Sequence, residues 1–205
     1  MKKIFPITIV FALLLDFMSG FTLTSESPAR TSAFFDFEQS GSEFVPIFAD
    51  YPDQEDVNDD LFMGYVKKLE GFAAGETYRF SVSFKLATNI EGGLVGAGGA
   101  PGESVTVKCG IVSIEPKAIN ESGYFRMNID TGSQSNGGKN MTVVGDMAKT
   151  KNNHPGEYEF NEFSAEFDTM ANEDGEVYLI IGTDSGFEST TAYYLDDISV
   201  TWSKE

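Results

Sequence analysis

The sequence predicts an all-β fold, a two-sheet antiparallel β-sandwich of jelly-roll type, and three observations carry that prediction. In TYRFSVSFKLA, Tyr78, Phe80, Val82, Phe84 and Leu86 alternate with Arg79, Ser81, Ser83 and Lys85. That is the period of a strand with one face in a core and one in water. About ten short segments of this kind follow one another across glycine-rich connections, which suits a sandwich. No helical period persists beyond about two turns.

The elements follow in order. The start, MKKIFPITIVFALLLDFMSG, sets Lys2 and Lys3 before an apolar run from Ile4 to Leu15, the pattern of a signal peptide, assigned here to residues 1–26. Pro6 and Asp16 bracket a run well short of the ~20 residues a spanning helix needs. An exported protein is expected, periplasmic, surface-bound or secreted, with residues 31–205 forming one domain and no membrane insertion after cleavage. AFFDFE then places Phe35 and Phe37 on one face and Asp36 and Glu38 on the other. EFVPIFADYP, built around Pro46, reads as an edge or bulged strand because proline has no N–H for a ladder. An acidic loop, PDQEDVNDD, leads to LFMGYVKKL. After TYRFSVSFKLA the run EGGLVGAGGAPGES reads as a long mobile or ligand-facing loop. Further strands are expected at SVTVKCGIV, YFRMNI, MTVVG, YEFNEFSAEF and EVYLIIG.

The last stretch, TAYYLDDISVTW, changes phase. Tyr193 and Leu195 occupy one alternation, Ile198, Val200 and Trp202 the other, so a β-bulge is expected at Asp196-Asp197. Two adjacent carboxylates there need a cation, a hydrogen-bond donor or water.

Composition narrows the function. The formal charge of −18 over 205 residues repels nucleic acid and anionic lipid and attracts divalent cations and basic partners. The sole cysteine, Cys109, shares an apolar phase with Val105, Val107 and Ile111, which makes it a buried thiol with no disulfide partner. The only histidine, His154, lies in the turn-like NNHPGE, and no G-x-S-x-G is present, so a histidine-dependent triad has no context. Asp56-x-Asn58-x-Asp60 begins like an EF-hand loop but has Leu61 where glycine belongs and Lys67 where glutamate belongs. The glycine run matches neither phosphate-binding pattern. Among 32 acidic residues some pair always falls at a hydrolytic spacing, which is no argument for an enzyme.

FDFEQSG near the start and YYLDDISV at the end together resemble galactose-binding-like jelly rolls, including many carbohydrate-binding modules. The middle, with GAGGAPGESVTVKCG and YFRMNIDTGSQSNGGKN, is similar to a group of exported bacterial proteins of about this length, a similarity that carries no function. The first resemblance implies that the first and last strands lie side by side and share a structural calcium. Glu38 and Asp196 would be its ligands, with Asp36 and Asp197 in reserve, and carbonyls near Gln39 to Gly41 would complete six to eight oxygens.

Sugar recognition needs aromatic platforms and planar polar groups. Tyr124, Arg126, Asn128, Asp130, Gln134 and Asn136 supply these types on the polar phase of one strand and its loop. Tyr158, Tyr193 and Trp202 are further platforms, although the apolar phases of Tyr193 and Trp202 favour the core. The expectation is a non-enzymatic binding module for carbohydrate or another extracellular ligand. The competing reading is a surface or matrix protein making protein–protein contacts.

Overall fold

The computed structural model describes residues 31–38, 43–53, 61–151 and 154–205. Twelve strands form three sheets among these residues, and every named pairing is antiparallel. The first sheet has the order β1 (Ser32–Phe35), β12 (Tyr194–Lys204), β5 (Thr77–Thr88), β10 (Glu159–Met170). The second has the order β2 (Val45–Ala49), β4 (Phe62–Glu70), β11 (Glu176–Ser185), β6 (Val105–Val112), β9 (Thr142–Asp146). A small third sheet joins β3 (Tyr51–Pro52), β8 (Tyr124–Met127) and β7 (Ala118–Asn120). This is the expected jelly-roll sandwich with a short extra layer. Among the described residues no helix is long and apolar enough to cross a membrane.

The alternation in β5 does what its period requires. Phe80, Val82, Phe84 and Leu86 are buried against Val105, Val107, Cys109 and Ile111 of β6 and Val177, Leu179 and Ile181 of β11. Each such side chain contributes about 1.5–3 kcal/mol by leaving water. A second cluster joins Ile47, Phe62, Val66, Tyr178, Ile180 and Met141 on the opposite face of the five-stranded sheet. The strands β6 and β11 are therefore buried on both faces, which explains the unbroken apolar run Val177 to Ile181 in β11. Cys109 is buried as expected, and burial pushes its thiol up. Pro46 lies on the edge strand β2.

Two local expectations change. The strand at AFFDFE stops at Phe35, and Phe37 takes a φ of +57° instead of sharing a face with Phe35. The glycine-rich run between β5 and β6 is not a free loop. Gly186 N–H donates to Ser104 O, Glu188 N–H donates to Ala97 O, and Gly93 N–H donates to Glu103 Oε1 at 2.6 Å. A side chain at Gly96 would strike the Phe187 ring, so glycine there permits close packing and not only flexibility.

Candidate functional site

The first and last strands do lie side by side. Ser32 pairs with Thr201 and Phe35 with Ile198, which brings Asp36 and Asp197 to the same end of the strand pair. The register of β12 against β5 slips between Asp196 and Ser199, with Asp197 at φ +47°. That is the predicted bulge. The donors for its carboxylates are protein groups: Lys85 Nζ meets Asp197 Oδ2 at 2.6 Å, and Asp197 N–H donates to Asp196 Oδ1 at 2.8 Å. Asp36 Oδ1 accepts from Glu38 N–H at 3.3 Å. Among the described residues no three carboxylate, imidazole or thiol side chains gather as a metal requires. Residues 39–41, whose carbonyls were expected to complete a calcium shell, lie outside the described residues, as do Asp56, Asn58 and Asp60.

The six expected sugar contacts lie beyond the five-stranded sheet, on β8 and the loop after it. The Arg126 guanidinium sits 4.6 Å from the centroid of the Tyr124 ring and within 3.8 Å of Asp50 and 3.9 Å of Glu121. Asn128 closes a turn, its Oδ1 accepting from Lys117 N–H and its Nδ2 donating to Glu115 O. Asp130 accepts from Lys139 N–H at 2.9 Å and Gly132 N–H at 3.0 Å, and these donors, Lys139 first, hold its carboxyl below the usual carboxylate range. Gln134 takes φ +43°, and Asn136 exchanges backbone hydrogen bonds with Ser133. Asn128 and Asp130 thus organise the loop, because short polar side chains satisfy nearby backbone first. Of the aromatic candidates, Trp202 packs on Phe72 and Phe80, and Tyr193 packs against the main core.

A different surface collects aromatic and polar groups in register, the outer face of the four-stranded sheet. Directly paired residues share a face. Reading across β12, β5 and β10 gives the rows Tyr194–Ala87–Phe160, Asp196–Lys85–Glu162, Ser199–Ser83–Ser164, Thr201–Ser81–Glu166 and Ser203–Arg79–Asp168. From the Ala87 row to the Arg79 row is about 26 Å at the usual strand rise of about 3.3 Å. A shallow groove runs along this floor, about 400 Å³ over Ser83, Lys85, Glu162, Ser164 and Asp197 and about 360 Å³ over Ser81, Ser83, Ser164, Glu166, Ser199 and Thr201.

Beyond the Lys85 end of the groove, the next row of the sheet is aromatic. Tyr194 is 63% exposed, Phe160 53% and Tyr158 46%, whereas Ala87 between the first two is 6% exposed. The Tyr158 and Tyr194 rings meet edge-on at 5.2 Å, and Lys85 Nζ lies 5.9 Å from the centre of Phe160. Tyr158 is held from below. The buried Lys149 ammonium donates to His154 O at 2.7 Å and Glu157 O at 3.0 Å and lies 3.3 Å from Glu159 Oε1, so it grips the chain on both sides of Tyr158. The legible sign of this site was aromatics in a polar phase, Tyr194 and Phe160 falling where serines and carboxylates otherwise alternate.

No family model and no curated protein matches the chain. Among solved structures it is similar to the N-terminal CBM22-1-GH10 modules of Clostridium thermocellum endo-1,4-beta-D-xylanase 10B complexed with xylohexaose. There the TM-score is 0.36 and the identity 15%, over 82% of this chain and 28% of that chain. The chain thus spans little more than a quarter of that protein's length. It is also similar to the CBM22-2 xylan-binding domain of a Paenibacillus barcinonensis xylanase, with a TM-score of 0.30 and 12% identity over 83% of this chain and 97% of that one. A third likeness is the K3 cleaved adhesin domain of Lys-gingipain from Porphyromonas gingivalis, with a TM-score of 0.28 and 13% identity over 83% and 90% of the two chains.

Proposed function

We propose that the chain is an exported, non-catalytic carbohydrate-binding module whose glycan lies along the outer face of the four-stranded sheet. The observation that carries this reading is the exposed trio Tyr158, Phe160 and Tyr194 at the head of a groove floored by Ser81, Ser83, Ser164 and Ser199. Flat rings offer apolar area to the C–H faces of sugar rings, and short hydroxyls and carboxylates meet their hydroxyl groups. Water gains little by covering such rings, so their exposure favours a ligand. The non-catalytic reading is supported by the state of the nucleophile candidates: Cys109 is buried and His154 sits in an exposed turn.

The test is titration of soluble polysaccharides by affinity electrophoresis and calorimetry, starting with xylan and mixed-linkage glucans. Tyr194→Ala and Tyr158→Ala are each expected to weaken binding on the order of tenfold, as truncation of a central aromatic contact does. Arg126→Ala, on the far sheet, should leave it unchanged. Absence of wild-type binding to any glycan would defeat the reading.

A second reading, contact with other proteins, is favoured by a separate feature. The twelve-residue β10 is an edge strand, and an open groove of about 710 Å³ runs between it and β9. Unpaired strand edges are templates for another chain.

A further inference from the structure

Resting on that reading of the outer sheet face, we infer that the groove selects uncharged glycans and rejects those bearing uronic acids. The ground is how the face disposes of its own charge. The four strands of this sheet carry three basic residues, Arg79, Lys85 and Lys204, and each already has a carboxylate partner. Arg79 engages Asp168 through two parallel hydrogen bonds, Nε to Oδ1 at 2.9 Å and Nη2 to Oδ2 at 3.0 Å, and Nη2 also reaches Glu205 at 3.3 Å. Lys85 holds Asp197 at 2.6 Å, and Lys204 holds Glu76 at 3.3 Å.

The forked guanidinium is the group best shaped to receive a carboxylate. Here its fork is filled by Asp168. Against those occupied cations stand Glu162 and Glu166, both exposed, projecting over the two halves of the groove. A uronate laid along the floor would bring its charge near these carboxylates with no unengaged cation on the four strands beneath it. A neutral sugar meets the same carboxylates as hydrogen-bond acceptors for its hydroxyls. The chain's overall charge of −18 adds a weaker, longer-range repulsion of the same sign.

The experiment uses one polymer backbone at two charges: polygalacturonan fully methyl-esterified and the same sample de-esterified, alongside neutral xylan and carboxymethylated xylan. Binding is measured at 0.05 M and 1 M NaCl. We expect each anionic form to bind at least about fivefold more weakly than its neutral form at low salt, with the gap closing at 1 M because the Debye length falls from above 10 Å to about 3 Å. In the Glu162→Gln, Glu166→Gln double variant the neutral-to-anionic affinity ratio should fall toward one. Anionic forms binding equally or better at low salt would overturn the inference while leaving the glycan groove standing. Binding to neither form of either polymer, nor to any neutral glycan, would instead remove the proposed function beneath it. An unchanged ratio in the double variant would show that Glu162 and Glu166 are not the discriminating charges.

Discussion

Lysine at position 108 offers the sharpest test of the interior. Lys108 is 0% exposed on β6, Asp184 is 2% exposed on β11, and Lys108 Nζ donates to Asp184 Oδ2 at 2.7 Å and to Thr131 O at 3.0 Å. Lys108→Met keeps most of the aliphatic stem and removes the ammonium, so the buried Asp184 loses its lysine counter-ion. Removing one partner of a buried pair costs about 3–5 kcal/mol, because the remaining ion has lost both water and its counter-ion. For a domain of this size that corresponds to a fall in melting temperature of roughly 6–20 °C. Urea denaturation at pH 7 of the wild type, Lys108→Met, Asp184→Leu and the double variant closes a thermodynamic cycle. The double variant should recover most of the loss, since replacing both ions by apolar groups is often neutral. A Lys108→Met penalty below about 1 kcal/mol, or a double variant as unstable as the sum of the singles, would refute the reasoning.

Three further outcomes are expected. Lys149→Met should free the chain around Tyr158, speeding amide exchange across residues 154–159 and weakening glycan binding about as much as Tyr158→Ala; intact binding would mean that the Lys149 grip does not position the ring. Millimolar calcium or chelator should move the melting temperature by less than about 1 °C, because the Lys85 ammonium already answers Asp197; a rise of several degrees with calcium would place a cation at the strand ends after all. The folded-state value of Asp130 is depressed, so its stabilisation of the 130–140 loop is present above the unfolded value near 3.9 and is lost as pH falls through the lower, folded one. Amide resonances of Gly132 and Lys139 should therefore shift together with a midpoint below 3.9, and a midpoint at or above it would show that their hydrogen bonds do not favour the carboxylate.

Much of the fold was legible because burial on one face writes a period of two into a strand. Phe80 to Leu86 shows this, and so does the slip at Asp196-Asp197. The third sheet was not legible: β3 and β7 are two and three residues long, too short to show any period. The outer-sheet surface was not legible for a related reason. Residue types that bind sugars are also the types that close turns, and Asn128 and Asp130 were committed to the backbone by contacts ten or so residues away. What distinguishes Tyr194 from Tyr193 is only phase, and the one-residue bulge between them and the rest of β12 makes phase hard to carry across from Ile198.

That bulge yields the last prediction. Leu195 faces the main core, and strict alternation from it would send Asp197 inward and turn Ile198 and Val200 outward. The extra residue at Asp197 restores the phase, so that Ile198 and Val200 are fully buried. Two such side chains are worth about 1.5–3 kcal/mol each, against about 1–2 kcal/mol for holding one residue in the left-handed region, a cost that aspartate bears better than most. The balance favours the bulge even before Lys85 is counted. Deleting Asp197 should therefore be tolerated, because Leu195, Ile198 and Val200 then fall in one regular inward phase, and inserting one further residue after Asp197 should destabilise the domain by several kcal/mol by turning Ile198 and Val200 outward; Asp197→Gly, which keeps the residue count and tolerates φ +47°, should cost only the Lys85 ion pair, at most about 1 kcal/mol at a half-exposed position. Limited proteolysis and thermal melts separate these variants. An insertion variant as stable as Asp197→Gly would mean that β12 is held by something other than the phase of its side chains.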